Sequence, residues 1–174
     1  MATSIHHLIT GALQAAAGLY HRLVLLVGGA GSGKTSLLRQ LAADYGTSPI
    51  NVNLALAGEL LELSARQRPL RLPEILARIL DRAQPPASPS SLLQPTPLVL
   101  DNLELLFDQD LKQDPLRLLQ GLARNRTLLA SWNGTFSVGR LGYAVPGHPE
   151  YRAYDAPEAL IVTMDGASTL DPAP

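Results

Sequence analysis

Leu23-Val24-Leu25-Leu26-Val27-Gly28-Gly29-Ala30-Gly31-Ser32-Gly33-Lys34-Thr35-Ser36 is the stretch that decides the fold. The apolar run predicts a buried strand, and Gly28, Gly33, Lys34 and Thr35 at their spacing make a P-loop in the strand-loop-helix setting the motif requires. Small residues let successive backbone N–H groups turn inward and approach a β-phosphate with no Cβ in the way. A helix starting near Lys34 adds its positive dipole end. The expected nucleotide cradle is Gly28, Gly29, Ala30, Gly31, Ser32, Gly33, Lys34, Thr35 and Ser36. Lys34 reaches for the β and γ oxygens, and the Thr35 hydroxyl is the expected protein ligand of Mg²⁺.

Working outward, apolar residues at helical spacing predict a helix over 3–20 before the first strand at 22–27, and a helix over 34–45 after the loop, stopped by Gly46. A second strand is expected at 50–54, then helices at 55–66 and 73–83, the latter with Pro73 at its start. Residues 85–97 are rich in proline and serine and form an expected surface insertion. Leu98-Val99-Leu100 then predicts a buried strand ending in Asp101. A helix at 115–124, a strand at 127–131, a Gly- and Pro-rich stretch at 133–149 and a closing strand at Leu160-Ile161-Val162 complete the chain. The alternation predicts one α/β domain over 1–174, a parallel sheet of about five strands covered by helices on both faces. Ligands of such a sheet lie at the carboxyl ends of its strands.

Asp101, ending an apolar strand downstream of a P-loop, fits the Walker B role and would hold Mg²⁺ together with Thr35. The strand at 50–54, inserted between the P-loop and Asp101, resembles the additional-strand P-loop ATPases that include AAA+ proteins, whose strand order is 5-1-4-3-2. In that group the residue after the Walker B Asp is usually a Glu that takes the water's proton. Here it is Asn102, an amide that orients water without accepting a proton, so slow or partner-dependent hydrolysis is expected, with Glu104 the nearest carboxylate. Ser131 and Asn133 stand where a sensor of the γ-phosphate is carried. Trp132 between them is expected to pack in the core rather than stack on a base. Arg124 and Arg126 are candidates for an arginine finger completing a neighbour's site.

Composition bounds the partners. A net charge of −1 gives no global attraction to nucleic acid or an anionic membrane. DNA contact, direct or through partners, would need a local patch, and Arg66, Arg68, Arg71, Arg78 and Arg82 form the densest basic region. The chain has no cysteine, which removes disulfides and thiolate chemistry. Without an apolar span or signal-like start, a cytoplasmic location and no membrane partner are expected.

Further blocks carry a more specific resemblance: His21-Arg22 leading into the P-loop strand, Asn51-Val52-Asn53-Leu54, Gln67-Arg68-Pro69-Leu70-Arg71, Leu100-Asp101-Asn102-Leu103-Glu104-Leu105-Leu106-Phe107, Lys112-Gln113-Asp114-Pro115-Leu116, Trp132-Asn133-Gly134, and Pro146-Gly147-His148-Pro149-Glu150-Tyr151. With these the chain resembles the BrxF family, the small P-loop proteins of type 3 BREX bacteriophage-defence systems. The P-loop and Asp101 make ATP and Mg²⁺ the expected ligands, ATP over GTP because no Asn/Thr-Lys-x-Asp guanine signature occurs, and an AAA+-like core of this kind is expected to self-associate or join a larger assembly. The resemblance implies a bacterial cytoplasmic protein acting beside other BREX components, among them a large ATPase, a DNA methyltransferase and an alkaline-phosphatase-like protein. It assigns no catalytic residue beyond the Walker positions. A helical lid after the last strand is not expected. Two other readings stay open: a nucleotide-dependent switch or scaffold that does not hydrolyse, and a small-molecule kinase.

Overall fold

The computed structural model describes residues 4–85 and 96–170. The proline- and serine-rich insertion expected at 85–97 falls mostly outside them.

The apolar runs form a parallel sheet. β1 (Leu23–Gly28) is an interior strand, with β4 (Leu128–Ser137) on one side and β7 (Leu160–Thr163) on the other. β3 (Leu98–Asp101) pairs with β4, and β2 (Ile50–Asn51) pairs with β3. The order β2-β3-β4-β1-β7 is the expected 5-1-4-3-2 read from the other edge. Register then sets the site. Gly28 is level with Asn133, and Asn51 is level with Asp101, so the carboxyl ends of β1, β2, β3 and β4 share one edge.

Both faces are covered, which is why the central strands are continuously apolar. α1 (Ile5–Ala16) and α2 (Lys34–Asp44) pack on Val24, Leu26, Val99, Leu129 and Val162. On the opposite face α3 (Val52–Leu60), α4 (Gln67–Ala83) and α5 (Pro115–Leu122) pack on Leu25, Leu98, Leu100, Leu128 and Ala130. Each fully buried leucine contributes about 1.5–3 kcal/mol, so the two layers hold the strand ends firmly beneath the site.

Three elements differ from expectation, each for an identifiable reason. β2 stops after two residues because the Asn51 side chain accepts from Leu54 N at 3.0 Å and caps α3. α3 therefore covers 52–60 instead of beginning at Ala55. α4 begins six residues before Pro73, after Ser64 and Gln67 cap each other reciprocally. Pro73 has no N–H for the Pro69 carbonyl four residues back, and the Gln113 side chain donates to that carbonyl instead, at 2.9 Å. β4 runs ten residues instead of five. Its second half leaves the parallel sheet and pairs antiparallel with β5 (Arg140–Tyr143), which pairs with β6 (Arg152–Asp155). This three-stranded extension stands beyond the carboxyl edge.

Candidate functional site: the phosphate cradle and its acidic wall

The P-loop joins β1 to α2, and Gly33 is the helix N-cap at φ 95°, a left-handed backbone that a side chain would strain. The Lys34 ammonium folds back into the loop and donates to the carbonyls of Gly28 at 2.9 Å and Gly29 at 2.7 Å. Burial holds its pKa below the ordinary lysine value, while the negative charges of Asp101 and Glu104 pull it back up. Ala30, Gly31, Gly33, Lys34, Thr35 and Ser36 line one wall of a cavity of about 370 Å³. Gly28, Gly29 and Ser32 lie on the other side of the loop, facing a separate cleft of about 460 Å³ against Met164 and the β4 extension.

Across the first cavity stands Asp101, 7 % exposed at the end of β3. Its Oδ2 accepts from the Thr35 hydroxyl at 2.8 Å, and its Oδ1 from the Ser131 hydroxyl at 2.7 Å and from Asn102 N at 2.9 Å. A carboxylate and a hydroxyl facing one polar cavity are the hard oxygen donors that suit Mg²⁺. The two sensor candidates separate here: Ser131 is spent on orienting Asp101, whereas Asn133 lines the cavity.

Asn102 also lines the cavity, at φ 55°, the left-handed turn in which asparagine is tolerated. That turn swings the chain so that the 3₁₀ turn over Glu104–Phe107 begins with Glu104 on the cavity wall. Glu104 Oε1 accepts from Asn133 Nδ2, and Oε2 accepts from Asn53 Nδ2 at 2.8 Å. Asn53 is the residue that sequence reasoning left without a role. Its side-chain oxygen also accepts from Leu105 N at 2.8 Å and its backbone N–H donates to Asn102 O, so one residue at the start of α3 braces the whole acidic turn. The block Asn51-Val52-Asn53-Leu54 held the signal, but only the pairing of β2 with β3 places Asn53 beside Glu104.

The two arginines lie elsewhere. They precede β4, at the amino end of the sheet, about 17 Å of strand away from the loop at 3.3 Å per residue. Arg124 is exposed, with its guanidinium 4.7 Å from the centre of the Tyr20 ring. The Arg126 side chain is 13 % exposed and pairs with the exposed Asp81 of α4 at 2.8 Å, while its Nε and Nη1 are buried without a hydrogen-bond partner among the described residues. Trp132 packs as expected, 2 % exposed and edge-on to Phe107. Its indole N–H donates to Gly142 O at 3.0 Å, tying the extension to the core.

A phosphate-binding loop at the end of an interior parallel strand, facing an aspartate one strand beyond its neighbour, defines a P-loop NTPase, a class that binds nucleotide and typically Mg²⁺. Within that class the chain belongs to the NACHT domain family, whose model matches residues 22–134, more than half of the chain. The match runs from the start of the P-loop strand to Gly134, where β4 leaves the parallel sheet. No curated protein and no solved structure matches the chain. Among the described residues no helix is long and apolar enough to cross a membrane.

Proposed function

We propose that the chain is an ATP-hydrolysing, AAA+-like subunit of a bacterial antiphage defence system of the BREX kind, working in the cytoplasm with its turnover raised by assembly. The observation that carries the hydrolytic part is Glu104, a carboxylate on the wall of the phosphate cavity, facing Lys34 and Asp101. In this reading the loop N–H groups and Lys34 would hold the β and γ oxygens, and Thr35 and Asp101 would hold Mg²⁺, which would supply positive charge against the phosphates. Glu104 accepts the proton of the attacking water, and Asn133 orients that water or the γ-phosphate. Asn102 is then a turn residue and not a disabled base. The BREX assignment rests on the sequence blocks that resemble BrxF, several of which have structural duties: Gln113 completes α4, Asn53 braces Glu104, and Trp132 anchors the extension.

A second reading is favoured by the two amides that occupy Glu104. A base whose oxygens both accept hydrogen bonds is restrained, as in a nucleotide-dependent switch or scaffold that recruits partners or DNA. ATP turnover per protomer, measured over a range of protein concentration with Lys34→Ala as the blank, separates the two. Turnover that climbs with assembly supports the hydrolytic subunit. ATP binding without turnover at any concentration supports the switch.

A further inference from the structure

The cleft on the far side of the P-loop has a volume of about 460 Å³, within the range of small-molecule sites, about 300–1,000 Å³. Three walls enclose it: the loop at Gly28, Gly29 and Ser32, the root of the extension from Gly134 to Ser137, and the turn Thr163-Met164-Asp165 that ends β7. Met164 lies directly against the start of the loop. Its N–H donates to Val27 O at 2.8 Å, and a Cβ at position 28 would stand 2.7 Å from its Cγ. Phe136 and Met164, both half-buried, bring an aromatic ring and a thioether to the cleft. Asp165 is the one charged residue among those that line it, and the Thr163 hydroxyl donates to its Oδ1 and ties the carboxylate to the turn.

Sheet order gives a bound triphosphate its direction. Asp101 and Asn133, on the side proposed for Mg²⁺ and the γ-phosphate, end β3 and lie on β4, whereas β7 flanks β1 on its opposite side. Loop N–H groups cradle the α- and β-phosphates and the lysine reaches the β and γ oxygens. A triphosphate with its γ end at Asp101 therefore runs back over the loop toward β1 and β7, and its α end, which carries the ribose, leaves on the Met164 side. The cleft and the phosphate cavity adjoin along two walls. Ser32 of the cleft precedes Gly33 of the cavity, and Gly134 of the cleft follows Asn133 of the cavity.

We infer that this cleft takes the nucleoside half of the bound nucleotide, with the base against Phe136 and Met164 and the ribose hydroxyls donating to Asp165. The inference rests on the nucleotide binding proposed above and adds the residues that read the nucleoside. An aromatic ring stacks on a base through its π-face, and a carboxylate is a suitable acceptor for ribose hydroxyls. Thr135, Phe136, Ser137, Thr163, Met164 and Asp165 all lie beyond Gly134, where the NACHT match ends, so nucleoside recognition is built from this chain's own extension and closing turn.

The test compares three probes by calorimetry: Mg-ATP, Mg-2′,3′-dideoxy-ATP and inorganic tripolyphosphate, the last of which engages the phosphate cradle alone. Asp165→Ala alters an exposed residue and leaves the core untouched. Phe136 packs partly on the core, so unchanged tripolyphosphate binding by Phe136→Ala reports that its cradle is intact. The wild type is expected to bind ATP about tenfold more tightly than the dideoxy analogue, and Asp165→Ala to bind the two equally. Phe136→Ala is expected to weaken ATP about tenfold or more, with tripolyphosphate binding unchanged in both variants. A wild type that binds ATP no better than tripolyphosphate overturns the inference, as do variants that both bind ATP like the wild type. In the latter case turnover that climbs with assembly leaves the proposed function standing. ATP affinity that falls as expected in both variants, with no turnover at any protein concentration, supports the nucleoside cleft and removes the hydrolytic reading.

Discussion

Glu104→Gln separates chemistry from architecture. The glutamate accepts one hydrogen bond from Asn133 and one from Asn53 at 2.8 Å. A glutamine keeps the shape but offers one oxygen and one NH₂, so one asparagine donor loses its acceptor. The lost bond costs about 1 kcal/mol, and up to roughly 3 kcal/mol if the group is left buried and unpaired. For a domain of this size each kcal/mol lowers Tm by about 2–4 °C, leaving nearly all of the protein folded at 25 °C. Removing a general base lowers the chemical step by about 10²–10⁴-fold, or roughly 3–5 kcal/mol of barrier. The two effects therefore read out independently. In single-turnover hydrolysis of labelled ATP with assembled protein in excess, Glu104→Gln is expected to bind nucleotide within a few-fold of the wild type and to lose turnover. Asn102→Glu is the companion variant. Its backbone sits at φ 55°, where glutamate is more strained than asparagine, so no acceleration is expected. Glu104→Gln hydrolysing near the wild-type rate, or Asn102→Glu accelerating it tenfold, would refute the reasoning and return the base to position 102.

Gly134→Ala tests the root of the extension. A Cβ there would stand 1.8 Å from the Gly142 carbonyl oxygen, backbone that must move and that also receives the Trp132 indole. The variant is expected to lose about 3 kcal/mol in chemical denaturation, with a shift in the emission of the chain's single tryptophan. Arg126→Ala is expected to lose about 1 kcal/mol of stability through the lost Asp81 pair, with turnover per folded protomer unchanged; a selective loss of assembly-dependent turnover would assign Arg126 the finger role. Tyr143 has its pKa pushed up to about 12, mainly by burial, with Glu150 and Glu104 adding. The folded state holds this proton where the unfolded chain, at 10.0, releases it. Its contribution is therefore complete below pH 10 and lost between pH 10 and 12, on the order of 2 kcal/mol. The wild type is expected to lose stability relative to Tyr143→Phe over that window, the two curves separating as pH rises, because phenylalanine has no phenolate to bury; parallel curves would contradict the shift.

The P-loop and the Asp101 strand were legible because each is a local signal: an apolar run of strand length, a fixed glycine and lysine spacing, a carboxylate at a strand end. The five-strand order was expected only through the resemblance to the additional-strand P-loop ATPases. The helix boundaries around 50–73 were less legible: the Asn51 cap is a local bond that cuts short an apolar run of strand type, and the Gln113 bond that satisfies the Pro69 carbonyl comes from 44 residues away. β5 and β6 escaped because four-residue strands among glycine and proline carry almost no periodicity.

The sequence by itself determined that this chain builds a phosphate cradle on an α/β sheet, since backbone freedom, helix dipole and apolar patterning act over a few residues. Only the tertiary structure decided which polar residues meet there. Parallel register brought Asn53, Glu104 and Asn133 together from three segments and assigned Ser131 to Asp101, and packing of α4 beside the start of β4 paired Arg126 with Asp81. A side chain's partner is set by which strands lie next to each other, and that is a property of the assembled sheet that no single segment contains.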